Sequence, residues 1–238
     1  MIGPQPPDLL EIISDPTALE PFMQFSIGGE NSDTVSIIVF MTVLMLLPSI
    51  IMMMTSFVRI IVVFSLLRNA IGIQQTPPNQ VLVGLALMLT LFIMSPVISE
   101  INEIAYQPFS QGEIGSTEFL MRASRPLHTF MLGQTETSSI QTFYDVANRQ
   151  MPIDSADYAM DILIPAFVLS ELKRAFTIGF LLFIPFLIID MVVASSLMSM
   201  GMMMLPPVTI SMPFKLMLFV LVDGWGLLIR SLVTTFFR

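Results

Sequence analysis

The stretch AFTIGFLLFIPFLIIDMVVASSLMSMGMMMLPPVTISMPFKLMLFVLV, residues 175–222, holds 48 residues and only two charges, Asp190 and Lys215. It is too long and too apolar for the core of one small soluble domain. Gly201 and the pair Pro206-Pro207 break it into two helical arms, because Gly closes helices and Pro cannot continue one. The turn between the arms, normally the polar part of a hairpin, is Met202-Met203-Met204.

Composition agrees with a membrane setting. Mean hydropathy is +0.81, and 12% of residues are charged, about half the ~25% of soluble proteins. The net charge of −8 excludes nucleic acid as a partner, since no basic patch is present to neutralise phosphates. With no cysteine, disulfides and thiolate sites are excluded. Met1–Pro7 carries no base and no apolar core and does not read as a signal peptide.

Uncharged windows run from Thr34 to Val58 (25 residues), Asn69 to Ser99 (31), Ala175 to Ile189 (15) and Met191 to Phe214 (24). A spanning helix needs ~20 apolar residues. The first two windows qualify directly, and the last two only if Asp190 lies within the span. A carboxylate there costs ~3 kcal/mol or more against lipid, so Asp190 should face protein or water. A 15-residue arm rises about 22 Å as a helix, short of a ~30 Å hydrocarbon core, which favours burial against protein. Pro48, Pro96 and Pro185 are read as kinks within these helices.

The domain reading has four parts. Residues 1–33, with five prolines, six acids and no base, form an irregular leader. A first apolar hairpin covers 34–99, with residues 59–80 as its connection. A polar helical region covers 100–161, with helices at 118–132, where Ser116 marks a start, and at 138–150. A second apolar hairpin and C-terminal helix cover 162–238. Arg59 and Arg68 make the 59–80 connection cytoplasmic, so both hairpin tips point at the cytoplasm and the polar region lies outside.

Three runs carry a family resemblance: LLRNAIGIQQTPPNQVLVGLALMLTLFIMSPVI (66–98), LIPAFVLSELKRAFTIGFLLFIPFLIIDMVVASSLMSMGMMMLPP (163–207) and MPFKLMLFVLVDGW (212–225). They resemble the FliP family, a membrane subunit of the flagellar type III export gate, over residues 34 to 225. The form SELKRAF at Ser170–Phe176 is the more flagellar one, while injectisome relatives share much of the rest. Members of the family often begin with a signal sequence, which Met1–Pro7 does not match.

The resemblance implies an all-α membrane protein whose two apolar hairpins flank a polar helical region and assemble into a helical oligomer. It implies five like copies joined by FliQ and FliR, with FlhB and FlhA as further partners and no cofactor. It implies the bacterial inner membrane at the flagellar basal body, with much of the chain on the periplasmic side. Unfolded export substrates would pass through, driven by an export ATPase and the proton motive force.

Candidate residues follow. Three consecutive methionines cannot share one helix face and sit at a Gly/Pro-bounded tip. Together with the resemblance this favours a flexible pore constriction at Met202, Met203 and Met204 over simple packing. Met52, Met53 and Met54 lack such a turn and are read as packing. Glu171 and Lys215 have opposite sign and long apolar flanks, so they are expected to pair, across a subunit boundary or within the chain. Lys173 and Arg174 are read as a solvated helix end. Asp190 is expected as a buried structural carboxylate, ahead of a proton-relay role. Asp223, also expected buried, either caps the turn at Gly224 or binds a neighbour's arginine.

Two other classes compete. A secondary transporter calls for inverted repeats, which the two dissimilar hairpins do not supply. An intramembrane hydrolase calls for a nucleophile beside a base, yet the one histidine, His128, lies in the polar region, far in sequence from Ser195 and Ser196. Asp190 and Asp223 lack a Gly-x-Gly-Asp context, and neither a metal-ligand set nor a phosphate loop is present. The reading is therefore a non-catalytic subunit.

Overall fold

The computed structural model describes residues 32–73, 76–202 and 205–237, and these are helical, joined by turns, with no strand among them. The helices are α1 (Ser32–Met53), α2 (Phe57–Ile71), α3 (Asn79–Ile101), α4 (Ser116–Gln134), α5 (Thr137–Val146), α6 (Met160–Ser199), α7 (Pro207–Leu221) and α8 (Gly224–Thr234). The expected acidic leader lies, but for its last residues, outside the described part. The chain divides into two compact units. One comprises the described part of Met1–Thr55 with Pro96–Phe167, the other Ser56–Ser95 with Val168–Arg238.

In the first unit, α3 passes beyond Pro96 into a π-helical turn, Asn102–Tyr106, and on to Ser110. The two helices foreseen in the polar region are α4 and α5, and α4 begins at Ser116. Their packing is fastened by aromatic and polar contacts. The rings of Phe109 and Phe119 are 4.9 Å apart, and those of Phe130 and Phe167 6.0 Å. His128 donates from Nε2 to the Tyr158 carbonyl at 2.9 Å. Arg149 pairs with Asp161 at 2.8 Å, tying the segment after α5 to the first turn of α6. Met131, Ile140, Tyr144, Leu163 and Phe167 form its buried centre.

In the second unit, α2 buries Arg59, Ile60, Val63, Phe64, Leu67, Ala70 and Ile71, a stripe at spacings of three and four. It ends at Gly72, whose φ of +91° suits glycine and whose N–H bonds the Asn69 carbonyl. The residues expected as a loop from Arg59 are therefore largely helix, and the turn is confined to the stretch after Ile71. The reason is physical: a single arginine does not end a helix whose other residues keep the buried stripe going.

The expected 15-residue arm is corrected as well. α6 runs unbroken for 40 residues through Glu171, Lys173, Arg174, Pro185 and Asp190. Glu, Lys and Arg are good helix formers, so their charges mark a change of surroundings and not an end. At 1.5 Å per residue α6 is about 60 Å long, twice a hydrocarbon core.

The second hairpin turns where Gly201 and Pro207 predict. Met202 N–H bonds Leu197 O at 3.0 Å and Gly201 N–H bonds Met198 O at 3.1 Å, a Schellman closure with Gly201 at φ +73°. Pro207 then supplies the first residue of α7, where a missing N–H costs nothing. α7 and α8 meet at a 64° bend built on Asp223 and Gly224.

Candidate functional site: two ion pairs and a methionine tip

The second unit holds two charge clusters inside apolar surroundings. Arg59 on α2 and Glu171 on α6 are both fully buried. Arg59 Nε donates to Glu171 Oε2 at 2.8 Å, and Nη2 donates to Oε1 to complete a fork-to-fork pair. Nη1 donates to Thr235 Oγ1 at 2.8 Å. The guanidinium also lies over the Phe236 ring, 3.8 Å from its centroid. One side chain thereby ties α2, α6 and the end of α8 together. Arginine suits this place because its planar fork matches a carboxylate and stacks on an aromatic face.

The second cluster joins α6, α7 and the end of α2. Lys215, 3% exposed, donates to Asp190 Oδ2 at 2.6 Å and to the Ala70 carbonyl at 3.2 Å. Ala70 O is one of the last four carbonyls of α2, which lack helical partners and carry partial negative charge, so a buried ammonium there is doubly matched. Ser211 donates its hydroxyl to Asp190 Oδ1. Both oxygens of each carboxylate are thus engaged.

Glu171 and Lys215 are not brought together. Each takes a different partner, Arg59 and Asp190, so the expected pairing is replaced within this chain. Placed in a connecting loop, Arg59 offers no counter-ion to Glu171; on α2 it does. Its signal was available: a lone base between Phe57-Val58 and Ile60-Ile61 sits in apolar surroundings that demand an opposite charge. Ser211 and Thr235 carried no comparable signal.

Asp190 is half-buried, its side chain 26% exposed. Asp223 is exposed, contrary to expectation. It adopts φ +51° as the N-cap of α8, and its carboxylate accepts from Gly226 N–H at 3.4 Å. A capping carboxylate serves the first turn of the helix at its surface, where burial is not needed. Of the methionine tip, Met202 is exposed just beyond the Schellman turn, and Met203 and Met204 lie outside the described residues.

The helices leave much apolar surface uncovered. In the most apolar window of α6, 11% of residues are buried, and Phe176, Phe180, Leu181, Leu187, Ile188 and Met191 are exposed. By length and composition α3 with its continuation (Asn79–Ser110) and α6 could each cross a membrane.

Residues 40–232 match the model of the FliP family. The chain is similar to the flagellar biosynthetic protein FliP of Buchnera aphidicola subsp. Baizongia pistaciae, 53% identical over 212 residues, 89% of this chain and 59% of that protein. It is similar to the proteins of the same name from Pectobacterium carotovorum (54% identical, 88% of this chain, 82% of that protein) and Bacillus subtilis (50%, 86% and 93%). The chain spans about three-fifths of the length of two Buchnera relatives, 59% and 61%.

Proposed function

This chain belongs to the FliP family, and on that premise we propose that it is a non-catalytic core subunit of the flagellar type III protein export gate. In this reading it lines and gates the path of unfolded substrates across the bacterial inner membrane, at the flagellar basal body, with much of the chain on the periplasmic side. Five like copies would join FliQ and FliR, with FlhB and FlhA as further partners. The relatives' flagellar names favour this over the equivalent injectisome subunit.

The observation that carries the reading is the bareness of α6. A helix about twice as long as a hydrocarbon core and buried over so little of its apolar window calls for neighbouring helices or lipid along its length. Within the chain the ion pairs satisfy the charges that such helices bring with them, which fits a wall-forming part. The methionine tip supports the gating role: unbranched, polarisable side chains meeting around an axis would close on one another and yield to varied substrates. Native mass spectrometry of the detergent-extracted complex tests the assembly. Several copies of this chain with smaller hydrophobic partners are expected, and a transport-competent monomer would overturn the proposal.

A further inference from the structure

The second unit contains a small apolar pocket of about 160 Å³ beside the turn between α2 and α3. Phe64 and Leu67 of α2, Leu82 of α3, Phe219 and Val220 of α7 and Trp225 of α8 line it, and Arg68 is the one charged residue among its described walls. Arg68 comes here because residues 64, 67, 68 and 71 share one face of α2, at spacings of three and four.

Arg68 is half-buried in the last turn of α2, where a base complements the partial negative charge of the helix end. That accounts for its charge and not for its hydrogen bonds. Nη1 donates to Asn79 Oδ1 at 2.8 Å, while the buried Nε has no hydrogen-bond partner. Among the described residues no carboxylate lies within ion-pair distance of Arg68. Arg59 shows the matching arrangement, in which Nε and Nη2 together grip both oxygens of Glu171. Arg68 offers the same edge to a carboxylate from outside the described chain.

We propose that this pocket receives one apolar side chain of a neighbouring subunit, whose Asp or Glu, next to that residue or one helical turn away, lies on the Nε edge of Arg68. The proposal rests on the assembly put forward above. An apolar cavity of ~150 Å³ takes one benzene-sized group, so this pocket matches a single aliphatic or aromatic side chain and is too small for a lipid tail. An apolar anchor seated in a pocket beside a charged pair is how the hot spots of protein interfaces are built.

A photo-crosslinking residue at Val220, an exposed wall of the pocket, tests this in the assembled complex. The crosslinked peptide is sequenced by mass spectrometry. An apolar residue of another chain is expected, next to an Asp or Glu or one helical turn from it. Arg68→Gln should lower the yield on the order of fivefold. Arg68→Lys, which keeps the charge but loses the edge, should fall between. Asn79→Ala removes the bond to Nη1 but leaves the base, and should keep the yield. Exchanging Arg68 with the identified acid should restore the crosslink that either single variant loses. Crosslinks to phospholipid alone, or to a segment without a carboxylate, would overturn the proposal. So would a yield that Arg68→Gln leaves unchanged or that Asn79→Ala lowers equally. Should Arg68→Gln not assemble, Arg68→Lys decides alone, and a yield equal to that of the unaltered complex sinks the proposal. Native mass spectrometry counts the copies in the same sample, so a complex of several copies that fails these tests leaves the assembly reading standing.

Discussion

Arg59 and Glu171, 112 residues apart in the chain, meet as a fully buried fork-to-fork ion pair that fastens α2 to α6. Removing either member strands the other charge, at a typical cost of ~3–5 kcal/mol. Glu171→Ala or Arg59→Ala should abolish stable accumulation of the assembled complex, read by blue-native electrophoresis. Arg59→Lys should rescue little, because an ammonium keeps the charge but loses the fork, the bond to Thr235 and the stacking on Phe236.

Charge exchange tells the observed pairing from the expected one. Arg59→Glu with Glu171→Arg should restore part of the assembly lost in each single variant. Glu171→Lys with Lys215→Glu should not, since it sets a lysine beside Arg59 and a glutamate beside Asp190. Recovery by the second exchange would instead support contact between Glu171 and Lys215 across a subunit boundary. Cysteines at those two positions on separately tagged chains check this directly.

The Asp190–Lys215 cluster should be the more tolerant of the two. Asp190 is a quarter exposed, whereas Glu171 is not exposed at all. Asp190→Asn with Lys215→Met removes both charges at similar volume and should lie close to neutral. Lys215→Met alone leaves Asp190 Oδ2 and the Ala70 carbonyl unmatched and should cost about 1–3 kcal/mol. A thermal-unfolding series on the complex measures the difference, and equal damage in the single and double variants would contradict it.

Much of this architecture is legible in the sequence, and the rest is not for definite reasons. The Gly201–Pro207 turn, the start of α4 at Ser116 and the inward charges all show, because Gly, Pro and isolated charges act locally. The partner of Glu171 does not show, since Arg59, Arg68, Lys173, Arg174, Lys215 and Arg230 all lie in or beside apolar runs and pairing depends on which helices pack. The length of α6 does not show either, since the cluster Glu171, Lys173 and Arg174 looks like a helix end although each of these residues is a good helix former. The exposure of Asp223 does not show, because an acid in an apolar run signals burial unless its cap geometry is known.

The bend between α7 and α8 should not accept a side chain at Gly224. A Cβ there would enter the ring of Phe219, which is held between Phe186 and Trp225. Gly224→Ala should destabilise by roughly 1–3 kcal/mol through overpacking. Trp225 emission, followed on heating, reports this locally, and an unchanged transition would contradict the tight contact.

The methionine tip should matter for sealing and not for assembly. Met202→Ala, Met203→Ala and Met204→Ala together should leave the complex intact while cells leak small ions, read by a membrane-potential dye. Aspartate at the same three positions should leak more, because a ring of like charge stays open and hydrated. Unchanged leak with normal secretion would mean that the triplet is only packing.

In the proposed function, unfolded protein passes along this chain. A photo-crosslinking residue at Met203, in cells where an export substrate is stalled by a folded C-terminal fusion, tests it most directly. A gate subunit predicts a crosslink between this chain and the stalled substrate at Met203, and none from an exposed position on the apolar flank of α6 such as Ile188. Absence of any substrate crosslink at Met203, with the substrate stalled and the complex assembled, would contradict the claim.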